Sequence, residues 1–362
     1  MPDPQIVSCT LRQLLDDPEG LTVFDDPGGY LADAGPRWIE FLRDNPRGRP
    51  EDLVIVLTVA GRRVVGALRS IPVELLIGGK MVRSGALRGF ALDPEWRAGG
   101  AGGMMLLRIL SASGAAMASG GPRPETMALY ARAGFTALGP LVRYVYFAST
   151  RPLIDIAFRG APYVSGASSA FDPLARLYYR LRRPAAETNL AFLAVERFSS
   201  GLDDLLASRG GDHMIRGSRD LNWVLAYSPA LRAYEIRNGG VLVGYSVIRL
   251  ADRPSTTVPM WLPALRAASL LDFHLDDPSA GALLQLMAHA VQSARAEAAE
   301  ILEIQTSDPV LVSCLRRAGF VHLGGSKVYL KAPAGVRLDP ARWNMTEAQG
   351  DVLCSALDVR AT

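Results

Sequence analysis

The chain has 362 residues, 49% of them hydrophobic and 21% charged, the balance of a globular protein with room for two domains. Its net charge of +3 is too small to argue for a nucleic acid or a charged membrane surface as partner, and neither is expected. Cys9, Cys314 and Cys354 are odd in number and far apart, so they form neither a disulfide framework nor a metal-binding pair, and they suit a reducing compartment.

In chain order, LVIVLTVA (53–60) is short, apolar and β-branched and reads as a buried strand. It turns through Gly61-Arg62 into RVVGALRSIPVELLI (63–77). A second turn at Gly78-Gly79 leads to MVRSGALRGFAL (81–92), which completes a three-stranded meander. A glycine-rich stretch and a helix to about Ser113 follow, then a short strand near Ala115–Ser119, a helix from about Glu125 to Ala133, and the strand LVRYVYF (141–147).

The second half repeats this order. NGGVLVGY in the hairpin 233–250 echoes AGRRVVGA (60–67), LLDFHLDDP (270–278) echoes LRGFALDP (87–94), CLRRAGFVHLGG (314–325) echoes LYARAGFTALGP (129–140), and SKVYLK (326–331) closes the copy. Echoes in the same order indicate a duplicated unit. The expected organisation is 1–150 as the first domain, 151–189 as a linker, 190–335 as the second domain and 336–362 as a tail. The expected class is α/β (α+β), each copy a mixed, mostly antiparallel sheet flanked by helices.

The stretch LDPEWRAGGAGGMMLLRIL (92–110) poses the chemical question, because each glycine inside a helix costs about 1 kcal/mol relative to alanine. Four of them, Gly99, Gly100, Gly102 and Gly103, precede the apolar run. A glycine-rich turn that opens a helix after a strand suits phosphate. Its backbone N–H groups point outward, the helix dipole favours an anion, and missing side chains allow close approach. Arg97 adds a planar cation. No Lys-Ser/Thr pair follows the glycines, so the stretch is not a nucleotide-triphosphate loop, and the preceding meander does not suit a dinucleotide fold.

Arg97-x-x-Gly100-x-Gly102 after Leu92-Asp93-Pro94, with Leu129-Tyr130-Ala131-Arg132-Ala133-Gly134-Phe135 downstream, resembles the GCN5-related N-acetyltransferase superfamily. The resemblance covers both halves. It implies that the segment Arg97, Ala98, Gly99, Gly100, Ala101, Gly102, Gly103 cradles the diphosphate of acetyl-CoA or another acyl-CoA. It also implies that the strand before the loop splays from its neighbour, and that a backbone N–H along Phe90, Ala91 and Leu92 polarises the thioester carbonyl. Tyr130 is then the general acid for the departing thiolate, a role open to a phenol with a pKa near 10. Arg123 stands where such relatives often carry Asn. Many of them place a Glu on the strand before the loop. Here that strand carries Arg83 and Arg88 instead, so Glu74 on the preceding strand is the nearest candidate base. Arg88, at the same strand parity as Phe90 and Leu92, is expected to face the cleft and meet a carboxylate on the acceptor.

The second copy looks disarmed. After FHLDDP it reads SAGALLQLMAHAV, without the arginine and with few glycines, and Leu315 replaces Tyr130. Cys314 is expected to be a buried thiol. The four histidines, His213, His274, His289 and His322, match no metal spacing, and no metal is expected. RDLNWVLAYSP (219–229) resembles a stretch of bacterial tandem acetyltransferase-like proteins, with Val224 in place of their Arg, and RWNMTEAQGD (342–351) fits the same type.

The expected function is acyl transfer from acyl-CoA to the amine of a small molecule by direct attack on the thioester. A tandem peptidyltransferase that uses aminoacyl-tRNA and a non-catalytic coenzyme A-binding scaffold are the alternatives the fold allows. MPDPQIVSCT has no basic stretch leading into an apolar one. Arg108 interrupts the most apolar run before it reaches the ~18 residues of a membrane span. A cytoplasmic location is the corresponding expectation.

Overall fold

The computed structural model describes residues 3–32, 34–120, 124–152, 189–207, 209–253 and 265–343. Most of the expected linker, Arg123, Cys354 and the tail beyond residue 343 lie outside the described residues.

The first half runs β1 (Gln5–Thr10), α1 (Leu11–Asp16), α2 (Pro36–Arg43), the meander β2 (Leu53–Ala60), β3 (Arg63–Ile77) and β4 (Lys80–Leu92), then α3 (Ala101–Ser113), β5 (Ala116–Gly120), α4 (Pro124–Arg132) and β6 (Thr136–Phe147). The second half repeats the plan as β7 (Leu190–Val195), α5 (Gly201–Ala207), the short β8 (His213–Met214), α6 (Ser218–Tyr227), β9 (Leu231–Asn238), β10 (Val241–Arg253) and β11 (Leu265–Leu275). It closes with α7 (Ala280–Ala296), β12 (Ile301–Thr306), α8 (Pro309–Arg317) and β13 (Val321–Lys331). Strand pairing is antiparallel except for β4–β5 and β11–β12.

One sheet of thirteen strands runs through both halves, in the order β1-β2-β3-β4-β5-β13-β6-β12-β11-β10-β9-β7, with β8 beside β3. Its centre carries an exchange. β13, from the end of the second half, lies between β5 and β6, with Tyr329 opposite Ala118. β6, from the end of the first half, runs beside β12, with Tyr144 opposite Ile304. Strand edges pair through backbone groups, which repeat at every residue, so nothing in the hydrophobic pattern announces this partner choice.

The halves also meet through their helices. Phe41 on α2 and Trp223 on α6 stack at 4.1 Å, and the Trp223 indole donates to the Phe41 carbonyl at 2.8 Å. Trp38, Phe41, Trp223 and Tyr245 belong to one shared apolar core. Asn222 accepts from the Phe198 amide at 2.7 Å and donates to its carbonyl at 3.0 Å. Trp223 therefore joins the halves, while Asn222 ties α6 to the Phe198 segment within the second half.

Candidate active site

β4 and β5 pair only over Gly85–Leu87 and Ala116–Ala118. Beyond Leu87, β4 continues to Leu92 along β3 alone, so its β5-side edge has no strand partner among the described residues. The divergence starts where β4 bulges. Ala91 faces Ala67 and Arg88 faces Arg69, so two residues of β4, Gly89 and Phe90, oppose the single Leu68. Gly89 sits at φ +59°, so the backbone favours glycine, and any side chain there would also have to displace the Arg69 guanidinium.

This opening is a cleft of about 830 Å³. Its lining includes Arg88, Phe90, Ala91, Leu92, Arg97, Ala98, Gly100, Gly102, Gly103 and Tyr130. Gly99 and Ala101 belong to the same loop but do not line it; Ala101 is 1% exposed and supports the helix from below. The α3 helix forms despite its glycines because Met105, Leu106 and Ile109 fall on one buried face.

The glycines divide by role. Gly100 is the residue before the helix and takes φ +79°, a left-handed conformation. At Gly102 a Cβ would come within 3.3 Å of the Phe90 ring. At Gly103 it would meet only Leu129, at 3.7 Å, and nothing in the structure requires glycine there. No side chain caps the helix, and its first hydrogen bond is Met104 N–H to the Gly100 carbonyl at 3.1 Å. The amides of Ala101, Gly102 and Gly103 therefore have no acceptor among the described residues. Arg97 lies exposed beside them, with Nε donating to the Leu92 carbonyl at 3.1 Å. Uncapped amides, the positive helix end and an exposed guanidinium make one surface with the chemistry to hold an anion.

Tyr130 on α4 forms the far wall. It is 5% exposed, stacks on Phe90 at 6.4 Å and contacts Phe135 at 4.9 Å and Tyr329 at 5.6 Å. Burial, aided by Tyr329, pushes its pKa to about 12, so the phenol is a proton donor at neutral pH.

Glu74 lies elsewhere. Its carboxylate is gripped by Arg47, which also holds Asp220 in a two-pronged pair at 2.8 and 2.7 Å, and it lies 3.8 Å from Arg83. Glu74 does not line the cleft, and its oxygens serve a charge network that ties the halves together. Arg88 does line the cleft, half-buried, but it does not share a face with Phe90 and Leu92. The bulge resets the alternation. Phe90 and Leu92 share the α3-side core with Leu68 and Leu87, while Arg88 shares a face with Arg69. Tyr30, Pro94, Glu125, Thr126 and Arg132 also line the cleft and were not foreseen. The turn signal DDPGGY (25–30) marks a loop at Tyr30 but does not say what that loop covers.

The corresponding place in the second half is built differently. Ser279 caps α7, its hydroxyl accepting from the Ala282 amide at 3.3 Å, so the helix end is partly satisfied from within. Asp272 replaces Gly89 and is buried against Arg216 and the Tyr245 hydroxyl. Leu315 is fully buried, and Cys314 is 2% exposed with its thiol pKa raised by burial. Burial lowers the pKa values of His213, His274 and His289 to about 4. Among the described residues, no three metal-ligating side chains come together. No helix among them is long and apolar enough to cross a membrane.

No protein-family model matches the chain, and no curated protein matches it in sequence. Solved structures do match. N-myristoyltransferase from Saccharomyces cerevisiae with bound myristoyl-CoA superimposes with a TM-score of 0.55 at 13% identity, covering 97% of this chain and 90% of that one. A GCN5-related N-acetyltransferase from Anabaena variabilis gives 0.51 at 14% identity, with 91% and 72% covered. Another from Kribbella flavida gives 0.52 at 16%, with 91% and 71% covered.

Proposed function

We infer that this chain, which has the fold of the GCN5-related N-acetyltransferases, is an acyl-CoA-dependent N-acyltransferase that modifies the amine of a small molecule. The observation that carries this reading is the meeting, in one cleft, of an uncapped glycine-rich helix start, an unpartnered strand edge and Tyr130.

The residues fit an acyl-CoA. The amides of Ala101–Gly103 and Arg97 would hold its diphosphate, and the Phe90–Leu92 edge of β4 would run beside the pantetheine as a strand neighbour does. The donor supplies an activated thioester, and acetyl-CoA is the first to try. A backbone N–H along Phe90–Leu92 would donate to the thioester carbonyl oxygen. Tyr130 holds the proton that the leaving sulfur needs. With Glu74 engaged by arginines, we assign the loss of the amine proton to water. Arg88 is our candidate for an acceptor carboxylate. The second half supports the site structurally and has no donor cleft of its own in this reading.

The test is release of free thiol from acetyl-CoA against a panel of amines, with native mass spectrometry for coenzyme A carried through purification. Turnover with at least one amine is expected. A protein that neither binds coenzyme A nor releases thiol sinks the reading.

A further inference from the structure

The segment Asp25-Asp26-Pro27-Gly28-Gly29-Tyr30 is folded with unusual economy for a stretch without helix or strand. The Asp26 carboxylate accepts from the amides of Tyr30 at 2.9 Å and Leu31 at 2.7 Å. Asp25 is stitched to the β2–β3 turn. Its amide donates to the Arg62 carbonyl and its carbonyl accepts from the Val64 amide, both at 2.8 Å. Gly28 lies under the Tyr30 ring, where any side chain would collide with it, and Gly29 takes φ +66°. Both glycines therefore serve to present Tyr30.

Tyr30 is presented to the cleft wall beside Pro94 and Arg97. Its hydroxyl donates to Asp93, the residue after β4, and the other Asp93 oxygen accepts from Arg63 at 2.7 Å. An acidic side chain close to an anion site is unfavourable, since like charges repel even in water. The hydrogen bond and the ion pair together engage both oxygens, so neither is left without a partner to face an anion.

We propose that the Asp25–Tyr30 loop belongs to the donor site, with Tyr30 as a positioning residue whose hydroxyl keeps the Asp93 carboxylate off the bound diphosphate. Burial and the Asp93 charge raise the Tyr30 pKa to about 12, so the hydroxyl stays a donor across the working pH range. This rests on the acyl-CoA reading above.

The experiment is coenzyme A titration by calorimetry on the full chain, with thermal midpoints recorded for every variant. Tyr30→Phe should weaken binding about fivefold, one contact charge interaction in size, and more at low salt. Asp93→Asn added to Tyr30→Phe should restore the wild-type affinity, because the uncovered charge is gone. A merely structural tyrosine would not be rescued in this way. Wild-type affinity in Tyr30→Phe, or a double variant as weak as the single one, overturns the proposal. Failure of the wild type to bind coenzyme A, or binding indifferent to Arg97→Ala, overturns the donor reading itself and is told apart by needing no change at Tyr30.

Discussion

Tyr329, on the last strand of the sheet, sets its ring 5.6 Å from that of Tyr130, so a residue of the second half walls the proposed acid of the first. Tyr329 is 7% exposed and belongs to the same buried cluster as Met105, Ile109 and Phe135. Tyr329→Ala should cost about 3–5 kcal/mol in denaturant unfolding, the range for a large aromatic lost from a core. It should also lower turnover in whatever protein stays folded. Tyr329→Phe should be near wild type in both, and a large loss there would show that the hydroxyl matters instead of the ring.

Tyr130→Phe should reduce turnover by about 10²- to 10⁴-fold, the range for a lost general acid, with coenzyme A affinity unchanged. The hydroxyl has no hydrogen-bond partner among the described residues, so folding stability should not fall. Single-turnover kinetics beside a titration separates the two effects, and an unchanged rate returns Tyr130 to packing.

Coenzyme A should bind once per chain. Arg97→Ala should weaken it by about 1.5–3 kcal/mol, as for a charge-assisted hydrogen bond. Gly100→Ala should cost about 1–2 kcal/mol in stability through its left-handed backbone. Gly102→Asp should abolish binding by crowding Phe90 and placing an acid among the amides. Two sites per chain, or full binding by Gly102→Asp, contradicts the assignment.

Stability should fall in mild acid. His213, His274 and His289 have folded pKa values near 4, below the ordinary 6.5, so the unfolded chain takes up protons that the folded one refuses. The penalty is absent above pH 6.5 and grows as the pH drops from 6.5 toward 4. His289 stacks on Phe192 at 4.1 Å, so His289→Phe is a fair replacement, and it should flatten this slope in thermal melts taken across that range. An unaltered slope removes His289 from the account.

Acceptors with a carboxylate beside the amine should outperform their amides in kcat/KM, because a half-buried guanidinium lines the cleft at Arg88. Arg88→Gln should erase the difference. Equal values for acid and amide in the wild type would remove Arg88 from acceptor recognition.

The meander, the helix start and Tyr130 were legible because each is local: an apolar run, a glycine turn, a short spaced motif. Arg88 lines the cleft as expected from the sequence, but the parity used to put it there does not hold, because the bulge at Gly89 depends on pairing with Leu68 and leaves no mark in the alternation. Glu74 was misread for a related reason. Its salt-bridge partner Arg83 lies directly across the strand pair, a contact that only the register reveals. Tyr30 was missed because a turn signal says that the chain reverses and not what it reverses onto.

The exchange of β6 and β13 has a consequence in time. Ala118 must wait for Tyr329, about two hundred residues further along the ribosome's output, and loop closures of that length come late in folding. Until then the edge of β5 stands open and the wall behind Tyr130 is missing. A first half made alone would carry every motif of the donor site and still lack the strand that completes it. On the function proposed above, catalytic competence would be withheld from partial products of translation, and a chain nicked before its last strand should fail as a catalyst while its glycine-rich loop remains intact.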